Sequence, residues 1–487
     1  MRPGHLRLTG ADAAELRDSL ASAASAAGLS AIYPQDALDD ALAAVAEYRL
    51  PDIDLRHIPF ITIDPEGSTD LDQALWLEPR EGGGWHVLYA IADVPHFVRP
   101  DGPLDAQTRL RAETAYLPQG RIPLHPAQIS EDAGSLLPGK DRGAYVWDLA
   151  VLADGTSSLT SLTLCTVRSV EQLSYPEAQR RLEAGDQLMV LLHHLGEARR
   201  VDESRRGGAN LGLPEHEVEP DGDNAFVLIT RDPLPIEEDN AQVSLMTGMA
   251  AAQVMLAAGV GLLRTMPAPD EGSENRFRAV TRGLGHPWSK DMHYGDYLRT
   301  LDVADPRQLA IMHAAGSLFR GAAYTPFDGA QPEITEQAAV GAPYAHTTAP
   351  LRRLVDRFAL VLCHAHLNGL PIPDYVRSSL PQLPELMKAG GGAVNSAERA
   401  SLDIVEASIL SQHVGEEFDA VVVDGRTPGK SDAGHKAPSV KVILIDPPVE
   451  ARADGAADSG TTVRVRVRSA DVATGSVELD LVAPTGG

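Results

Sequence analysis

The chain has 487 residues, 43% of them hydrophobic, with a formal net charge of −26 at neutral pH. That length and apolar share suit an ordinary globular protein of two or three domains with sizeable cores. The charge argues against an open basic surface for nucleic acid, and the two cysteines, Cys165 and Cys363, exclude a disulfide framework or a thiolate metal cluster.

So few cysteines fit a reducing cytoplasm. Residues 1–10 are polar and broken by Pro3 and Gly4, unlike a signal peptide. The first elements expected are two helices, 11–27 and 34–48, in an Ala- and Leu-rich segment ending near residue 51. Next comes a segment that concentrates Asp64, Asp70 and Asp72 between apolar runs: a strand ending at 61–63, a turn at Pro65 and Gly67, and renewed apolar structure over 71–76. With this stretch extended, Asp70 and Asp72 leave one face and Leu71 the other. Carboxylates so placed repel unless a cation sits among them. Mg²⁺ takes oxygen ligands and is typically held by one or two carboxylates plus a substrate phosphate. A solvated acidic turn is the plain alternative, and an Asp-x-Asp phosphoaspartate nucleophile another, although Ser68-Thr69 precede it where a hydrophobic strand belongs. An EF-hand loop is excluded, because its glycine falls too early and Leu75 stands where a bidentate glutamate is required.

Further along, a strand is expected over 89–94. Tyr116, before Leu117-Pro118, reads by itself as an ordinary half-buried tyrosine. A loop is expected around Asp221 and Asp223. Residues 244–263 run uncharged for nearly a bilayer span, but their Ala, Gly and Met content and mid-chain place point to a buried core helix, not a membrane segment. Arg352 and Arg353 flank a helix that follows Pro350 and suit a capping role. Glu398 and Glu406, two turns apart on another helix, suit a solvated face. From 418 on, four runs (418–423, 440–444, 462–467 and 476–482) alternate or stay apolar between Gly- and Asp-rich turns, which suggests a small barrel with 451–460 as a flexible loop.

Taken in order, these blocks resemble the ribonuclease II family, the RNB exoribonucleases. The family's catalytic loop is matched at Thr62, Ile63, Asp64, Asp70, Asp72, Ala74 and Leu75, and departs from it at Gln73, which replaces a fourth aspartate. Residues 89–94, then 104–136 with Tyr116, then Tyr344 to Arg353 with Asp356, follow in the family's sequence of motifs. The resemblance implies an α+β fold: an RNB catalytic domain, a mixed sheet with helices around an RNA channel, over 52–413, and a C-terminal OB-type barrel over 414–487. The short helical segment 1–51 stands in place of two cold-shock barrels. Departures also fall at Gln242, Val243 and Met249, where a Glu pair and an Asn are usual, and at Met266 in place of a histidine.

The same resemblance implies 3′-to-5′ hydrolysis of single-stranded RNA to nucleoside 5′-monophosphates by a two-metal mechanism, with Mg²⁺ or Mn²⁺. Asp64, Asp70 and Asp72 are the implied metal ligands. Asp70, Asp72, Arg352, Tyr116 and Glu406 are the implied catalytic set, Glu406 being the nearest match to a helical glutamate. Tyr116, Arg352, Arg353, Arg205 and Arg206 are the expected RNA contacts. The acidic net charge is compatible with RNA held in a channel lined locally by arginines, for which Arg199, Arg200, Arg205, Arg206, Arg276, Arg278, Arg282, Arg352, Arg353 and Arg357 are candidates. No protein partner is evident. A protein that binds RNA on the same fold without cutting it is the alternative, motivated by Gln73 and Met266.

Overall fold

The computed structural model describes residues 4–7, 11–211, 213, 215–220, 225–231, 233–425 and 439–482. The loop expected at Asp221 and Asp223 lies outside them.

Strands Phe60–Asp64, Gln73–Pro79, Trp85–Ala92, Asp141–Val151 and Ser157–Ser174 close into a barrel in that order. Neighbours run antiparallel except at the closure, where Phe60–Asp64 lies parallel to the end of the last strand and sets Asp64 opposite Ser174. Strand alternation divides the side chains. Val87, Tyr89 and Ile91 join Leu75, Tyr145 and Trp147 in one core with the helices Pro235–Ala258 and Leu354–Leu367. Leu88, Ala90 and Ala92 join Ala144, Val146 and Phe97 in another, where the helix Gln35–Glu47 lays down Ala37 and Ala41. Tyr48, just past that helix, stacks on Phe97 and donates to Asp93 Oδ2 at 2.8 Å. Its hydroxyl fills the space a Cβ would need at Gly143, which explains that glycine in mid-strand.

The expected 244–263 core helix is instead the helix Pro235–Ala258 followed by the strand Val260–Thr265. Gly259, in the left-handed conformation at φ 69°, ends the helix and turns the chain. The helix is long and apolar enough to cross a membrane, yet Val243, Met246, Ala251, Ala252 and Met255 are buried in the protein core. Three shorter helices, Glu271–Gly283, Tyr294–Leu298 and Pro306–Ala315, gather around Phe277, Trp288, Tyr297 and Ile311.

The long helix Leu383–Ser411 leads into a second closed barrel of strands Glu417–Asp424, Ser439–Leu444, Glu450–Asp454, Ser476–Val482 and Thr462–Asp471. Part of the expected 451–460 loop is therefore strand: Ala451 pairs with Val442 and Ala453 with Val440, and the buried Ala453 seals the core. The N-terminal helix Ala11–Ala26 sits where long helix and barrel meet, with Leu16 and Leu20 buried against Ile404, Val405, Val422 and Val442. Ahead of it, Gly4–Arg7 pairs with Ala225–Arg231, which pairs with Glu215–Pro220, a small sheet that the sequence pattern did not announce.

Candidate active site

Asp64 ends its barrel strand, and the chain turns at Gly67, φ 78°, into an irregular stretch through Asp72. This stretch is pinned from several sides. Ser135 Oγ accepts from Leu71 N at 2.9 Å and donates to Thr69 O at 2.7 Å, and Gln172 Nε2 donates to Ser68 O at 2.7 Å. Leu71 itself is fully buried, an apolar anchor between the two acids. Asp72, 4% exposed, accepts from Leu351 N at 2.7 Å.

That bond brings in the segment Tyr344–Arg353, which is itself rigid. Ala345 N donates to Gly248 O at 3.1 Å, and Gly248 leaves room for the Tyr344 ring where a Cβ would collide with it. The buried Asp356 accepts from Ala349 N at 2.7 Å and from Arg353 Nε and Nη2 at 3.0 and 2.8 Å. Arg352 is thereby set with its side chain 46% exposed and its Nε 4.0 Å from Asp72 Oδ2. From a third direction, the hairpin Ala115–Leu117/Gly120–Ile122 pairs Tyr116 with Arg121. Tyr116 Oη donates to Asp70 Oδ2 at 2.9 Å, while Arg121 reaches Asp70 Oδ1, Thr69 Oγ1 and, at 2.9 Å, Glu131.

Asp64, Asp70, Asp72, Tyr116 and Arg352 thus meet in one place. The other sequence-expected residues do not join them as open side chains. Arg353 is behind Arg352, locked on Asp356. On the helix Gln187–Arg206, Arg205 pairs with Asp154 and Asp202, and Arg206 with Asp202. Arg206 lines a cleft of about 840 Å³ with Arg200, Gln242 and Arg299. Glu406 packs at the junction of long helix and C-terminal barrel, accepting from Glu450 N at 3.3 Å. Two turns earlier, Glu398 is the helix carboxylate that reaches the hairpin, accepting from Tyr116 N at 3.4 Å.

Two arginines expected in the channel are core residues. Arg199 is 1% exposed and paired with Asp202 at 2.8 Å; Arg357 is buried against Asp105. Arg121 is the residue the sequence reading missed. A tight hairpin from Tyr116 to Arg121 puts the two side chains on one face, and the Leu-Pro-Gln-Gly between them was the available signal.

Burial dominates the electrostatics. It pushes the Asp64 carboxyl up to about 7, with Asp70 adding to the rise and Arg352 opposing it. Asp72 is raised well above the carboxylate range by burial, again against the pull of Arg352 and the Leu351 amide. With Arg121 engaged on Asp70 and Glu131, Arg352 alone faces Asp64 and Asp72, and Asp64 Oδ2 is buried without a partner. Such an all-oxygen donor set fits Mg²⁺ in its chemistry. Among the described residues, no three acidic, His or Cys side chains already stand at metal-binding separation, and Asp70 is turned to Arg121 and Tyr116 instead. Gln73 is also engaged, its Nε2 donating to Thr348 O at 2.7 Å and its Oε1 accepting from Tyr89 Oη at 2.5 Å.

Residues 52–369 match the RNB domain, and residues 416–482 the RNase II-type exonuclease C-terminal S1 domain. The chain belongs to the RNB family. This RNB chain is 26% identical over 400 residues to Ribonuclease R of Escherichia coli (strain K12), an alignment covering 76% of the chain and 48% of that protein. It spans about half the length of such curated relatives. In fold it is similar to the apo form of Mycoplasma genitalium RNase R, with a TM-score of 0.83 at 16% identity, covering 96% of this chain and 78% of that one. It is also similar to yeast Ssd1, a pseudonuclease, with a TM-score of 0.66 at 17% identity, covering 86% and 53%.

Proposed function

We propose that this RNB chain is a 3′-to-5′ exoribonuclease that hydrolyses single-stranded RNA to nucleoside 5′-monophosphates in the cytoplasm. The observation that supports it best is the meeting of Asp64, Asp70 and Asp72 with Tyr116 and Arg352 at the end of the catalytic barrel. No such gathering is needed for the fold, because burying Asp72 and the unpartnered Oδ2 of the half-buried Asp64 carries a cost that partners do not cover.

Asp64 and Asp72 would hold Mg²⁺ or Mn²⁺, with Asp70 beside them held by Tyr116 and Arg121, and the cation would supply Lewis-acid activation of the scissile phosphate and of water. Arg352, the exposed guanidinium beside Asp72, binds the scissile phosphate and neutralises charge that grows there in the transition state. The exposed Tyr116 ring supports the terminal nucleotide while its hydroxyl orients Asp70. Arg353 acts from behind by fixing Asp356 and hence the backbone that presents Arg352. Arg205 and Arg206 contribute field along the RNA path rather than free donors. In this reading Glu398, rather than Glu406, is the carboxylate of the long helix that serves the site, through Tyr116.

A second reading, RNA binding without hydrolysis, draws support from three features. Both Asp70 oxygens are engaged, Gln73 is closed within the fold, and the fold is similar to that of a pseudonuclease. Incubation with 5′- and 3′-labelled oligoribonucleotides, with and without EDTA, separates the two. The enzyme gives metal-dependent stepwise shortening of 5′-labelled RNA and immediate release of 3′-labelled mononucleotide. Binding with no shortening at any Mg²⁺ or Mn²⁺ concentration refutes it in favour of the second reading.

A further inference from the structure

The acidic group has an internal counter-cation that the family resemblance does not supply. Arg121 stands opposite Tyr116 in the hairpin, and its two terminal nitrogens fork onto Asp70 Oδ1, Thr69 Oγ1 and Glu131 Oε1. With Tyr116 Oη on Oδ2, both Asp70 oxygens are occupied by protein donors. The hairpin is fixed as well: Gln119 Nε2 donates to Leu20 O at 3.1 Å, and Leu117 packs with Ala24, Val394 and Ala397. Gln73, where the resemblance would place another carboxylate, uses both amide atoms on Thr348 and Tyr89.

The remaining donors are few. Asp64 Oδ2 has no partner, and Asp72 Oδ2 faces Arg352 across 4.0 Å. Asp64 and Asp72 are two carboxylates, the number that typically holds one Mg²⁺ together with substrate phosphate. Asp64, Asp70, Asp72 and Glu131, less the charges of Arg121 and Arg352, leave two negative charges, which a single divalent ion neutralises.

We propose that Arg121 takes the place of a second metal ion at Asp70, so that this site holds one divalent cation, between Asp64 and Asp72. The assignment rests on the nuclease reading of the site but concerns metal stoichiometry, which can be read without RNA. A guanidinium at this position gives Asp70 a fixed geometry through its planar fork, and no ion has to be recruited there.

The test is titration of the intact protein with Mn²⁺ in the absence of RNA, following free Mn²⁺ by electron paramagnetic resonance. Wild type is expected to bind one ion. Arg121→Gln, which keeps a hydrogen-bonding side chain but no charge, is expected to bind two, or to bind with at least about tenfold higher total affinity. Arg121→Lys retains the cation and is expected to bind one. Asp70→Asn in the wild-type background should leave the single ion within about threefold of its affinity, whereas Asp64→Asn should abolish it. Two ions on wild type, none on wild type, or Arg121→Gln indistinguishable from wild type each overturns the assignment. A folded Arg121→Lys protein that binds two ions overturns it even where Arg121→Gln fails to fold. One ion on a wild-type protein that never shortens RNA refutes the nuclease reading and leaves the Arg121 assignment standing. RNA shortening with Mn²⁺ binding indifferent to Arg121 does the reverse.

Discussion

Along the C-terminal barrel strand Thr462–Asp471, Arg464, Arg466 and Arg468 alternate with the buried Val465 and Val467, and each arginine is matched to acids on other strands of the barrel. Glu417 and Asp419 take Arg464 and Arg466, while Asp454, Glu478 and Asp480 surround Arg468. A hydrogen bond from Arg466 holds the Glu417 carboxyl below the usual range, and hydrogen bonds from Ser469 and then Arg468 do the same for Glu478. At the mouth of the RNB-domain barrel the same residue types stand in the opposite state, with Asp72 buried, Asp64 half-buried, both carboxyls raised, and the Arg352 side chain nearly half exposed. Charge satisfied in water contributes little and has no task beyond solubility. Charge left short of partners in a desolvated cleft marks a place that awaits ligands.

The sharpest way to break this contrast is Asp72→Asn. Asparagine keeps an oxygen for the Leu351 amide, so the junction between catalytic loop and Arg352 segment survives. Only the charge is lost. The expected outcome is a fall in RNA hydrolysis of at least about a hundredfold, the scale on which transition-state electrostatics act, with RNA affinity within about threefold by filter binding. Hydrolysis at the wild-type rate would mean that the unpaired acids of the mouth are no more functional than the paired ones of the barrel.

Which acids are paired is the part of the molecule that sequence shows least well. The spacing of Asp64, Asp70 and Asp72 and the run from Tyr344 to Arg353 mark the site, because local turns and one motif carry that information. The C-terminal strands are equally visible as period-two alternation. Arg357 finds Asp105 some 250 residues away, and no local pattern records such a pairing. Arg121 acts through a hairpin register, and Glu398 and Glu406 differ by helix position alone. Eight residues are about 12 Å of helix, enough to set Glu398 at Tyr116 and Glu406 against the barrel.

Glu406 sharpens the comparison because it is a buried acid on the barrel side with no cation paired to it among the described residues, only the Glu450 amide. It is 4% exposed, and burial, with Asp403 and Glu450 nearby, raises its carboxyl to about 8 despite the Glu450 amide. A raised acid disfavours the folded state wherever the unfolded chain has already released its proton. No cost is felt below about pH 4.5, the cost grows from there to about pH 8, and it stays constant above. At pH 7 this is roughly 3 kcal/mol. Glu406→Gln should therefore raise stability against urea at pH 7 and above, and the gap from wild type should close as pH falls toward 4.5. A gap that is independent of pH would show that Glu406 is not held protonated, and that its burial is supported by partners of its own.

The smallest effect belongs to the satisfied side of the contrast. Arg466 Nη2 lies 2.6 Å from Glu417 Oε1, but both side chains are open to solvent, 53% and 31% exposed, where water screens the attraction and side-chain ordering opposes it. Arg466→Gln leaves Glu417 with Arg464 at 3.5 Å and with water. The expected outcome is a Tm within about 2 °C of wild type, with Mn²⁺ binding and RNA shortening unaltered. A larger loss of Tm at low salt that disappears at high salt would show the three arginines acting as one network rather than as separate surface pairs. A loss of RNA binding without loss of Tm would move this strand from the satisfied class to the functional one, and the division between the two barrels would fall.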